Sequence, residues 1–199
     1  MKVKSGPDIL LLPVAVGAIL LALAIGLVVY VVASNKGPAL PAAAAGIPCD
    51  QLEHTQVHYH AAIQIMADGN IHPIPADIGI GGDPAQPTCF YWLHVHGANP
   101  NVIHIESPAN RTFTLGDFFA VWSSWSGTKQ PLDATHVSTF TLTPEQKLVT
   151  YIDLGDGKGA QPYTGDPKDI VLKAHEVITL EITPPAVTPP PPFTFTSGL

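Results

Sequence analysis

The sequence predicts a mainly β domain, an antiparallel β-sandwich or a barrel-like fold with one short helix, carried on an N-terminal transmembrane helix. Three observations lead there. Residues 9–34 contain no charged side chain, and at about 1.5 Å per residue such a run crosses a roughly 30 Å hydrocarbon core. Several later segments alternate apolar and polar residues with period two, as half-buried strands do. Finally, only 13% of the 199 residues are charged, against 21 Pro and 17 Gly, which disfavours long solvated helices and coiled coils. The chain then divides into a cytoplasmic N-terminus (1–8), a transmembrane signal-anchor helix (9–34), a small-residue linker (35–48), a histidine-rich β domain (49–183) and a proline-rich tail (184–199).

The membrane run comes first. Lys2, Lys4 and the terminal amine precede it and only Lys36 follows closely. The positive-inside bias therefore predicts a single-pass protein of the cytoplasmic membrane with its C-terminal domain outside, periplasmic or extracellular. Pro13 sits near the helix start, where a missing N–H costs least. The rival is a cleaved signal peptide ending in the small residues 41–46; signal h-regions of roughly 7–15 residues are shorter than this run, which favours the anchor. The membrane is thus the expected partner, with a larger membrane complex as a further one. Nucleic acid is excluded: nine Lys and Arg against 16 Asp and Glu, with Arg111 the single Arg, leave a net charge of −7 and little to neutralise phosphates.

Outside the cytoplasm two cysteines default to a disulfide, here Cys49–Cys89. Closing a loop of about 40 residues stabilises by roughly 4 kcal/mol in the chain-entropy picture. A blue-copper site fits poorly, because Met66, the only internal Met, lies upstream of Cys89.

The strands follow in order. In 57–67 (VHYHAAIQIMA), Val57, Tyr59, Ala61, Ile63 and Ile65 share one face and His58, His60 and Gln64 the other. Asp68-Gly69 signals a hairpin into 71–80, which Pro73 and Pro75 mark as an edge strand. The stretch 89–96 (CFYWLHVH) is apolar on both faces, as a central strand would be. A GANPN turn at 97–101 returns the chain into 102–106. Thr114 and Asp117 have capping-box spacing and start a helix to about residue 125, with Phe118, Phe119, Val121, Trp122 and Trp125 as core. Further strands are expected at 138–142, 147–153 and 176–182. The glycine turn 155–159 lacks both EF-hand acidic spacing and a P-loop ending. The tail from Pro184 reads as polyproline II, either mobile or docked by Phe193 and Phe195.

Nine histidines equal Lys and Arg combined, and their placement carries the functional reading. With 97–101 as the hairpin loop, His96 pairs with Val102 and His94 with His104. Cross-strand Cβ atoms then lie about 4.5–5.5 Å apart, so His94, His96 and His104 can converge on one ion through bonds of roughly 2.0–2.1 Å. His58 and His60 repeat the His-x-His pattern and join them if the strands are neighbours; His54 lies just upstream. Glu106 can orient a ligating imidazole or act as a base beside the ion. Nitrogen donors outside the cytoplasm suit copper or zinc, zinc preferring a tetrahedral set and copper a flatter one. His72, His136 and His175 have no partner at ligand spacing and read as structural.

The segments HYHAAIQI (58–65), IPADIGI (74–80), CFYWLHVHGANPNVIHIESP (89–108) and TFTLGDFFAVW (112–122), with the FTFTSGL ending, resemble an uncharacterised family of prokaryotic secreted or membrane-anchored proteins. Its marks are an HxH strand, a CxxWLHxH strand and an HIES strand, and the likeness covers most of 48–199. It implies an envelope location and a shared histidine-rich β domain. The family has no established activity, so it supplies no catalytic residues and no substrate.

Three functions remain open at this stage. One is an anchored copper- or zinc-binding module that stores, delivers or senses the ion or serves as an accessory subunit. Another is an enzyme whose His-bound ion activates water or oxygen, with Glu106 as base. The third is a structural envelope domain without metal. A histidine-rich face can also sense pH. No Gly-x-Ser-x-Gly elbow and no dinucleotide-binding glycine pattern is present, and Asn110-Arg111-Thr112 fits a glycosylation sequon.

Overall fold

The computed structural model describes residues 8–34 and 40–199. Lys2, Lys4 and Lys36, on which the orientation rests, lie outside the described residues, as do linker positions 35–39. The chain divides into two units, 1–39 and 40–199.

In the first unit, α1 (Asp8–Ser34) is one helix through Pro13. Its stretch Pro13–Ala33 has a mean hydropathy of 2.8 and is exposed throughout. A helix apolar on every side has no reason to be stable in water; its length and composition suit a membrane anchor or a signal sequence.

The second unit is mostly sheet. Its strands are β1 (Cys49–Asp50), β2 (Val57–Ala67), β3 (Asn70–His72), β4 (Ile80–Asp83), β5 (Gln86–Tyr91), β6 (Leu93–His94), β7 (Val102–Ser107), β8 (His136–Val137), β9 (Phe140–Thr141), β10 (Lys147–Asp153), β11 (Gln161–Tyr163) and β12 (Val177–Thr183). The main sheet runs β11-β10-β12-β2-β7-β6, with β3 also on β2; a smaller sheet runs β1-β5-β4, and β8-β9 is a separate hairpin. Neither sheet closes on itself, so the barrel alternative is not the architecture.

Alternation decides the faces. Ile63 and Ile65 of β2, Ile103 and Ile105 of β7, and Ile178 and Leu180 of β12 join one core with Phe113, Phe118 and Val121. The last two belong to α2 (Leu115–Ser126), which begins with a complete capping box: Thr114 Oγ1 accepts from Asp117 N, and Asp117 Oδ2 accepts from Thr114 N. Gly127 ends it in the left-handed region at φ 67°. The proline-rich tail is docked: Val187 N donates to Glu181, and the Phe195 ring lies 5.2 Å from that of His175.

Four expectations need correction. The return strand 71–80 breaks after His72, because Pro73 and Pro75 have no N–H to continue the ladder; β4 then begins in the other sheet. The stretch 89–96 is not one central strand. It bends at Trp92, so that β5 is central in the small sheet while β6 is the edge of the large one, and its apolar residues are covered on both sides, Cys89, Tyr91, Leu93 and Val95 being buried and Phe90 and Trp92 half-buried. The pairing is not wholly antiparallel, since β12 runs parallel to β2 with Ile178 opposite Ile63 and Leu180 opposite Ile65. Finally, of 138–142 only Phe140 and Thr141 are strand, as β9 paired with β8 just upstream, and β11, only three residues long and containing Pro162, carries no period-two signal.

A candidate metal centre on three adjacent strands

Because β7 lies between β2 and β6, His104 lies between two histidine-bearing strands. His60 and His94 are both directly opposite it, and His58 is opposite Glu106. Same-face parity then brings His58, His60, His94, His96, His104 and Glu106 into one cluster on the sheet face opposite the aliphatic core. The expected His94–His104 pairing is present. His96 and Val102 do not form the predicted ladder pair, because Asn99 N takes the His96 carbonyl in the turn.

The two His-x-His pairs are built alike. In each, the Nε2 atoms are 3.1 Å apart and the ring centroids 4.8 Å apart, for His58–His60 and for His94–His96. Ligands about 2.0–2.1 Å from a tetrahedral ion stand roughly 3.3 Å from one another, and cis ligands of a square ion about 2.9 Å. The observed spacing falls between. His94 Nδ1 donates to the Tyr91 carbonyl at 2.8 Å, which leaves the lone pair on Nε2, the nitrogen facing the cluster.

Two carboxylates serve the same space. Glu106 Oε1 is 3.4 Å from His58 Nε2, 3.5 Å from His104 Nδ1 and 4.0 Å from His94 Nε2. Burial pushes this carboxyl up, but the His104 contact and the charges of His94 and His58 outweigh it and hold it below the usual range. Glu53 Oε1 is 3.0 Å from His96 Nε2 and 3.5 Å from His94 Nε2; chiefly its contact with His94 holds it low. Burial likewise lowers His96, and it lowers His60 to about 4, aided by neighbouring imidazoles. His60 is therefore neutral at physiological pH, as a ligand must be.

His104 is the outlier. Its residue is 6% exposed, and among the described residues neither Nδ1 nor Nε2 has a hydrogen-bond partner. The Glu106 oxygen beside Nδ1 does not meet hydrogen-bond geometry. Buried ring nitrogens are normally paired, and leaving one unpaired costs about 1–3 kcal/mol. Around it, His94, His96, His104 and Glu106 offer donor atoms all within 4.8 Å of one another, and so do His58, His60 and His104.

The other histidines are elsewhere. His54 joins Trp92 Nε1 on Asp50 Oδ2, at 2.8 and 2.7 Å. His72 bonds the Ala67 carbonyl, His136 the Asp133–Thr135 turn and His175 the Leu199 carbonyl. Glu53 was not singled out from the sequence. A signal did exist: the Cys49–Cys89 disulfide, with Cα atoms 5.3 Å apart, together with the pairing of Cys49 with Tyr91, draws 49–53 toward the strand that continues into His94.

No family model, no curated protein and no solved structure matches this chain. The site's chemistry therefore rests on its own geometry.

Proposed function

We propose that this is a membrane-anchored extracytoplasmic protein that binds copper or zinc on the β2-β7-β6 histidine cluster. The observation that carries the reading is His104, a buried ring with both nitrogens unpaired amid four other imidazoles and two carboxylates. Ligation removes that cost, whereas hydrogen bonding within the protein does not. Donors that are mostly nitrogen with a carboxylate suit Cu(II) or Zn(II) better than Ca²⁺ or Mg²⁺. Glu106 acts as ligand or counter-charge rather than as base: with His94, His96 and His104 it makes a four-donor set, which favours holding an ion over keeping a position open for water. Holding supports storage, delivery or service as an accessory subunit of a membrane complex.

The apolar α1, the disulfide and the resemblance to the envelope family with HxH, CxxWLHxH and HIES strands support the location, and the two open sheets support a sandwich-like outer domain. Metal analysis of the full-length chain, extracted in detergent, loaded with Zn²⁺ or Cu²⁺ and desalted, tests the reading. Stoichiometric metal that is lost in His104→Ala is the expected result. Wild-type protein that retains no metal overturns it.

A further inference from the structure

We propose that the cluster holds two metal ions, one on each side of His104, whose ring bridges them through Nδ1 and Nε2. This rests on the metal-binding reading above and adds a second, unlike site. The donors form two sets, His94, His96, His104 and Glu106 on one side and His58, His60 and His104 on the other. Only His104 belongs to both. Both of its ring nitrogens are buried without a hydrogen-bond partner among the described residues, so it has one nitrogen to offer each set.

A single ion relieves one ring nitrogen and leaves the other buried without a partner; two ions relieve both. The surroundings match on either side. The rings of His60 and His96 stand nearly perpendicular to that of His104, at 80° and 87°, with centroids 4.5 and 4.6 Å away. His94 and His58 lie nearly parallel to it, at 13° and 25°. Each His-x-His pair also needs a proton or a cation between its facing Nε2 atoms, and two ions supply one to each.

Charge agrees with the count. As the second ion binds, the remaining ring N–H of His104 breaks, its proton goes to water, and a nitrogen–metal bond replaces it with no change in oxidation state. The imidazolate, Glu106 and Glu53 then balance most of the charge of two divalent ions. Bonds of about 2.0 Å on the two ring nitrogens put the ions roughly 6 Å apart. The sites differ in kind. The first has four protein donors, whereas the second has three and borders His58, whose side chain is 45% exposed. The second ion therefore exchanges more readily and takes a water or another small ligand.

The test titrates Cu²⁺ alone into the full-length chain in detergent, reading bound copper by elemental analysis and unpaired spin by low-temperature electron paramagnetic resonance. Two coppers per chain are expected, with a signal that grows to one equivalent and falls by more than half at two, because the bridge couples the spins. His58→Ala with His60→Ala is expected to halve the copper and keep the full one-equivalent signal. One copper in the wild-type chain overturns the second site while leaving the metal-binding reading intact. Two coppers with undiminished signal overturn the bridge. No copper overturns the two-copper site, and the metal-binding reading falls with it when Zn²⁺ is not retained either.

Discussion

Replacing His104 with Leu should stabilise the protein without metal and destabilise it with metal. In the metal-free protein the substitution removes two buried, unpaired nitrogens. Each such group costs about 1–3 kcal/mol, and refitting a side chain of similar volume returns up to about 1.5 kcal/mol. For the two nitrogens together the net gain is at least about 0.5 kcal/mol, and a domain of this size shifts its Tm by about 2–4 °C per kcal/mol. Saturating metal stabilises the wild-type chain by about 2.7 kcal/mol at a hundredfold excess over Kd, a gain that the variant cannot collect at either donor set. The assay is thermal unfolding of both proteins followed by circular dichroism, once with chelator and once with excess Zn²⁺. A variant that melts below wild type in chelator, or that keeps the full Zn²⁺-dependent rise, refutes the argument that His104 waits for a metal.

Three further outcomes follow from the same geometry. Gly79 lies at φ +79°, and a Cβ there would stand 2.6 Å from the Leu93 carbonyl and 3.1 Å from His94 Cβ; Gly79→Ala should therefore cost at least about 2 kcal/mol in urea unfolding and lower bound metal by displacing β6. Glu176, 1% exposed, is pushed up by burial to about 7 from 4.5. The folded state thus binds more protons between those values, and stability falls as pH rises from about 4.5 to 7. Glu176→Gln should be near neutral at pH 5 and more stable by up to about 3 kcal/mol at pH 8 in denaturant titrations, and equal curves at pH 8 would refute this. Substituting both cysteines with Ser should lower the unfolding free energy by roughly 4 kcal/mol, since the loop they close spans 40 residues; a loss below 1 kcal/mol would contradict it.

Much of the site was legible because strand parity is a local rule. VHYHAAIQIMA fixes β2 and its two faces, and the five-residue turn fixes His94 opposite His104, whatever the rest of the chain does. The capping box at Thr114 and the disulfide were legible for the same reason: each is set by residue type and spacing. What escaped depends on long-range choices. Nothing in Val177–Thr183 says that it joins β2 in parallel, and nothing in CFYWLHVH says that the chain bends at Trp92 to leave one sheet for the other. Glu53 escaped because a loop carboxylate has no period; only the fold around Cys49 brings it to His96.

The crosslink between Cys49 and Cys89 also has a bearing on biogenesis. The segment bearing Glu53 is fastened to the strand leading into His94 by that covalent tie, so with the thiols reduced nothing covalent holds Glu53 beside His96 and His94. On the proposed metal-binding reading, oxidation then precedes full metallation, since a reduced chain lacks the fixed Glu53 counter-charge and holds the ion more weakly.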